Sequence, residues 1–158
     1  MTPDREFLAG NERFAAAFPH GALDRRPRRG VVVVTCMDAR MEPMEILGID
    51  AGDVNVLRNA GAIVTDDVLR SLAVSHALLG TQSAFVIGHT ECGLHGATND
   101  DVSGGLGLST EVDFLPFDDL EESVRSSVRC IEESELLPAS FTAAGFVYDV
   151  RTGQLRSL

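Results

Sequence analysis

Two short stretches carry most of the reactive side chains of this chain. Cys36-Met37-Asp38-Ala39-Arg40 offers a thiol, a carboxylate and a guanidinium, and His89-Thr90-Glu91-Cys92-Gly93 offers an imidazole and a second thiol. Two soft sulfur ligands and one imidazole suit zinc, and three protein ligands leave the fourth tetrahedral position open. That is the pattern of a catalytic metal more than of a structural one. Other chemistries fail on residue identity. A phosphatase-type loop needs arginine where this chain has Glu42, and no C-x-x-C dithiol is present. Neither G-x-x-x-x-G-K-[ST] nor a G-x-G-x-x-G after the first apolar run occurs, and Gly88-His89 lacks the serine of a nucleophile elbow.

Each reactive stretch follows an apolar run, residues 31–35 in one case and 84–88 in the other, that reads as a strand covered on both faces of a parallel sheet. The N-terminal stretch 2–18 reads as a helix, with Thr2 to cap it, Pro3 in its first turn and Pro19 to stop it. Its phenylalanines either dock on their own domain or lie across a partner subunit. Residues 20–30 form a surface loop whose arginines make a solvated or subunit-contact face, or else an anion site. A short helix over 43–47 closed by Gly48, a strand over 54–58, a turn at Asn59-Ala60-Gly61 and a helix over 66–79 stopped by Gly80 come next. His76 in that helix reads as a packed or surface side chain rather than a ligand.

Beyond the second reactive stretch, residues 96–109 are rich in Gly, Ser, Asp and Asn and read as a mobile loop without periodicity. A long helix over 117–137 ends at Pro138 and carries Cys130, read as a buried inert thiol. Strands over 145–150 and 154–157 close the chain. The alternation predicts an α/β domain with a mostly parallel central sheet flanked by helices and a short antiparallel C-terminal edge strand. In such sheets ligands gather at the carboxyl ends of strands where strand order reverses. If the first and third strands are neighbours there, Cys36, His89 and Cys92 converge.

Composition bounds the partners. With 158 residues, 44% hydrophobic and 23% charged, the chain fits one globular domain, 1–158. A net charge of -11 disfavours nucleic acid and anionic membrane surfaces. All thirteen cations are arginines, which reflects either coding bias or adaptation to salt. Residues 1–18 hold no apolar leader core, no run approaches the roughly 20 apolar residues of a membrane span, and three cysteines make no disulfide framework. A soluble, cytoplasmic protein is expected.

The paired motifs Cys-x-Asp-x-Arg and His-x-x-Cys-Gly resemble those of the β-class carbonic anhydrases, particularly their short subclass. The likeness extends to Arg58-Asn59-Ala60-Gly61, Val64-Thr65-Asp66-Asp67, Arg70-Ser71-Leu72, Leu79-Gly80-Thr81 and Gly145-Phe146-Val147-Tyr148-Asp149-Val150. The resemblance implies a β-carbonic anhydrase-like fold and zinc-dependent reversible hydration of carbon dioxide to bicarbonate by metal-bound hydroxide. It implies Cys36, His89 and Cys92 as zinc ligands and Asp38 and Arg40 as a catalytic dyad. Two thiolates neutralise the ion and make its water less acidic, so Arg40 would hold Asp38 ionised to accept a hydrogen bond from that water. The Gly93 N–H is a donor for bicarbonate, and His95 is either a proton shuttle or an incidental loop residue.

The family also implies a homodimer or higher homo-oligomer, with helix 2–18 packing on a partner subunit. Some members close the site by coordinating aspartate and are regulated at a bicarbonate pocket that uses tryptophan; this chain has no tryptophan. Relatives with the same ligands hydrolyse carbonyl sulfide or carbon disulfide, which is the alternative activity. A non-enzymatic zinc-binding regulatory protein is a further alternative, disfavoured because structural zinc normally has four protein ligands.

Overall fold

The computed structural model describes residues 2–109 and 111–158; Met1, part of the stretch read for a leader, lies outside them. Its core is a five-stranded sheet in the order β2-β1-β3-β4-β5. The strands are β1 (Val31–Cys36), β2 (Asn55–Asn59), β3 (Ser83–His89), β4 (Thr142–Tyr148) and β5 (Leu155–Ser157). Pairings among the first four are parallel and β4–β5 is antiparallel, the expected α/β architecture. β1 lies inside the sheet, between β2 and β3, where its valines suit burial on both faces. Val32 and Val34 enter one core and Val33 the other, all fully buried.

The chain leaves β1 to form β2 on one side and returns to form β3 on the other. The strand order therefore reverses between β1 and β3, the crevice the sequence singled out. Both strands run one residue further than expected, so Cys36 and His89 are their last residues. β4 lies three residues earlier than expected at its start. Its leading Thr142-Ala143-Ala144 carries little strand signal, and the Asp149 carboxylate ends it by accepting the Arg151 and Thr152 amides.

The helices are α1 (Pro3–Ala16), α2 (Pro43–Leu47), α3 (Asp66–Leu79), α4 (Asn99–Leu106) and α5 (Leu120–Glu132). The bounds of α2 and α3 are those expected, each closed by a left-handed glycine, Gly48 and Gly80. α5 is shorter than expected. Asp119 caps it by accepting the Glu122 amide, while Phe117 is drawn into a bridge with His95. At the sheet, α5 meets backbone: a Cβ on Gly88 would stand 2.6 Å from Val124 Cγ2.

Two expectations need correction. The segment 96–109 is not an aperiodic loop, because it contains α4. Thr98 and Asp101 form a reciprocal capping box that nucleates this helix despite Gly104 and Gly105. The phenylalanines of α1 do not dock on their own domain either: α1 buries no residue, and Phe7 is 76% exposed. Thr2 stands at the cap position, but its hydroxyl makes no capping bond. Cys130 is half-buried, its thiol pushed up mainly by burial, and His76 packs edge-on against Phe141. No described helix is long and apolar enough to cross a membrane.

Candidate metal centre

β1 delivers Cys36, β3 delivers His89, and the turn leaving β3 delivers Cys92; all three are buried. Their ligand atoms lie within 4.8 Å of one another, close enough to share one ion. His89 Nδ1 lies 2.8 Å from the Thr90 carbonyl, which can only accept, so Nδ1 carries the proton and Nε2 offers its lone pair. That Nε2 is buried without a hydrogen-bond partner. Leaving such a group unsatisfied costs about 1–3 kcal/mol, and a metal bond removes the penalty.

The thiols fit the same account. Burial pushes the Cys92 thiol up, the Leu94 amide pulls it partly back, and the neighbouring Cys36 adds to the rise. Two adjacent buried thiolates therefore require a cation, and a thiophilic divalent ion suits a Cys2His set. The residues present fit zinc.

Asp38 stands beside this group. It accepts from Arg40 at Nε (2.9 Å), Nη2 (2.8 Å) and the backbone amide (2.9 Å). The Arg40 side chain first, and its amide second, hold the Asp38 carboxyl well below the usual range. Arg58 steadies the loop from beneath, donating to the Cys36 carbonyl at 3.1 Å and the Asp38 carbonyl at 2.7 Å. Cys36, Asp38, Cys92 and Gly93 open on a cavity of about 360 Å³ whose other walls include Met37, Leu94, Val102 and Phe114. Val102 belongs to α4, so the segment read as a loop supplies part of the wall.

His95 lies apart from the cavity lining. Its exposed ring stacks on Phe117, and Nε2 lies 3.0 Å from the Asp118 carbonyl. Sequence reading missed the support residues. Arg58 was noticed only within a motif; its place at the end of a strand beside β1 was the available signal. Glu91 and Arg151 form an ion pair across 60 residues that no local pattern announces.

Fold and site together define an α/β protein whose switch point brings a Cys2His group able to hold a metal beside a cavity. Comparison with known proteins specifies it further. The family profile described as carbonic anhydrase matches residues 31–114. The β-carbonic anhydrase 1 of Mycobacterium tuberculosis is 40% identical over 162 residues, covering 100% of this chain and 99% of that one. The crystal structure of carbonic anhydrase from Streptococcus mutans superposes with a TM-score of 0.93 at 38% identity, covering 99% of this chain and 98% of that one. A carbon disulfide hydrolase of Acidithiobacillus thiooxidans is 32% identical, covering 93% of this chain and 84% of that one. The chain belongs to the β-carbonic anhydrase family, whose members are zinc enzymes.

Proposed function

We propose that this chain catalyses the reversible hydration of carbon dioxide to bicarbonate at a zinc ion held by Cys36, His89 and Cys92. The observation that carries this reading is the buried, unpartnered His89 Nε2 grouped with two cysteine sulfurs. Zinc, when bound, supplies the Lewis acidity that makes water nucleophilic near neutral pH. Asp38, kept ionised by three N–H groups of Arg40, accepts a hydrogen bond from the attacking water and turns its lone pair towards the substrate carbon. The Gly93 N–H donates to an oxygen of bicarbonate as negative charge develops there. His95 passes the released proton to solvent: its Nε2 is engaged with Asp118, which leaves Nδ1 to accept.

The same proposal covers the setting. Residues 1–158 act as one domain, and two copies form a homodimer with the exposed Phe7, Leu8, Phe14 and Phe18 of the N-terminal helix laid across the partner. Free thiols used as ligands belong in a reducing compartment, the cytoplasm. The net charge of -11 leaves a small molecule as the partner rather than nucleic acid or membrane.

A second reading is hydrolysis of carbonyl sulfide or carbon disulfide at the same centre. It is favoured by the relatives named carbon disulfide hydrolase and by the apolar walls of the cavity. Metal analysis, stopped-flow hydration of carbon dioxide and sulfide release from both sulfur compounds, run side by side, decide between them. Stoichiometric zinc with hydration is the expected result. Sulfide release without hydration moves the assignment to the second reading, and zinc with neither leaves a non-enzymatic zinc protein. Absence of stoichiometric metal, or a Cys92→Ser variant that keeps both metal and turnover, refutes the centre itself.

A further inference from the structure

We propose that Glu91 is a positioning residue: braced by Arg151, it fixes the Arg40 guanidinium and so holds the Asp38 carboxylate back from closing on the metal ligands. This rests on the reading of the site as a hydrating zinc centre. Arg40 faces two ways. Nε and Nη2 hold Asp38, while Nη1 reaches Glu91 Oε2 at 3.3 Å and Nη2 also donates to the Glu91 carbonyl at 3.0 Å. The other Glu91 carboxylate oxygen accepts from Arg151 Nε. Asp38, Arg40, Glu91 and Arg151 thus form one row of alternating charge that runs from the metal ligands to the β4–β5 turn.

That turn is a fixed anchor. Asp149 accepts the Arg151 amide at 2.8 Å, and Thr90, next to Glu91, accepts the Val150 amide at 3.1 Å and donates its own amide to Tyr148 at 3.0 Å. The backbone of the ligand loop and of the turn are therefore stitched together, with Glu91 and Arg151 facing across the seam. Glu91 itself has φ +56°, the left-handed region where glycine or asparagine would rest more easily. A glutamate kept in that conformation between two ligands points to a use for its side chain.

The Arg40 side chain is 44% exposed, and its bidentate grip on Asp38 fixes the two groups to each other without tying the pair to the rest of the site. Asp38 Oδ2 lies only 3.9 Å from His89 Nε2, so an Arg40 free to wander would let the carboxylate approach the ligand atoms. A second anchor at Glu91 removes that freedom. If the row were only surface decoration, cutting it at Arg151, whose side chain is 77% exposed, would leave the centre untouched.

The test compares wild type, Glu91→Gln, Arg151→Ala and the double variant, each loaded with zinc for kinetics and with cobalt(II) for visible spectra. Zinc per chain stays at the wild-type value in all four. Each single variant lowers kcat for carbon dioxide about three- to tenfold with KM within about twofold, less than the roughly 10–100-fold typical of groups bonded directly to a metal ligand. The double variant is no worse than Glu91→Gln, because Arg151 acts only through Glu91. Cobalt bands report the ligand set and geometry, so Glu91→Gln shifts them, and adding Asp38→Ala abolishes the shift.

Wild-type kinetics in Arg151→Ala, multiplied effects in the double variant, zinc loss from Arg151→Ala or an unmoved cobalt spectrum overturns the proposal. Should Glu91→Gln fail to fold, Arg151→Ala in the exposed turn carries both measurements. If wild type proves not to hydrate carbon dioxide, that activity falls, while the cobalt spectra still decide the role of Glu91.

Discussion

Removing the metal has a consequence for stability that follows from one atom. Without a metal, the buried His89 Nε2 would be left with no protein partner, at a cost of about 1–3 kcal/mol. For a chain of this size 1 kcal/mol moves the melting temperature by roughly 2–4 °C, so chelation should lower it by about 2–12 °C from this source alone. His89→Leu removes the orphaned nitrogen together with the ligand. It forfeits the bond from Nδ1 to the Thr90 carbonyl, worth about 0.5–1.5 kcal/mol, but leaves no polar atom stranded. In chelator the variant should therefore melt close to wild type. In zinc, wild type alone should rise. Scanning calorimetry of both proteins with chelator and with zinc makes the comparison. An equal zinc-induced rise in His89→Leu, or no effect of chelation on wild type, would show that His89 is not a ligand.

Four other outcomes are expected. Asp38→Asn keeps its zinc but loses roughly 10–100-fold in kcat/KM, as measured by stopped-flow hydration, because an amide presents a donor where Arg40 needs an acceptor. His95→Ala lowers turnover in weak buffer and recovers in strong buffer, and equal rates in both remove His95 from the mechanism. Gly88→Ala forces a Cβ to 2.6 Å from Val124 Cγ2 and destabilises by about 1–3 kcal/mol in urea titrations, with Val124→Ala restoring much of the loss. The Asp50 amide, followed by Arg28 and Arg29, holds the Asp53 carboxyl below its ordinary value. Its contribution is thus complete above the unfolded pKa of about 3.9 and is lost as pH falls through the lower folded value. Asp53→Asn should lower stability at neutral pH and flatten the acid limb in urea unfolding between about pH 2 and 6.

What the sequence made legible follows the range of the interactions involved. β1 was legible because four consecutive valines have few other places to go, and α3 because acids at one end and Gly80 at the other are local signals. The convergence of Cys36 with His89 and Cys92 needed only the placement of strand ends beside one another. α4 was masked because its glycines outvote the capping pair Thr98 and Asp101 in any count of composition, although hydrogen bonding at the first turn decides the outcome. β4 was misplaced because alanines become strand residues only through pairing with β3, a tertiary effect. Glu91 and Arg151 were invisible as a support because arginine and glutamate on a surface look alike until their partners are known.

The register of β1 on β3, Val31 beside Ser83 through Thr35 beside Ile87, bears on how the chain reaches its native state. Sliding one strand by a single residue would turn every side chain on it to the opposite face and carry His89 away from Cys36. An ion that needs both residues can therefore be captured only after the two strands have aligned correctly. Metal capture would act as a proofreading step on the slowest kind of pairing in the molecule, a parallel contact between distant segments.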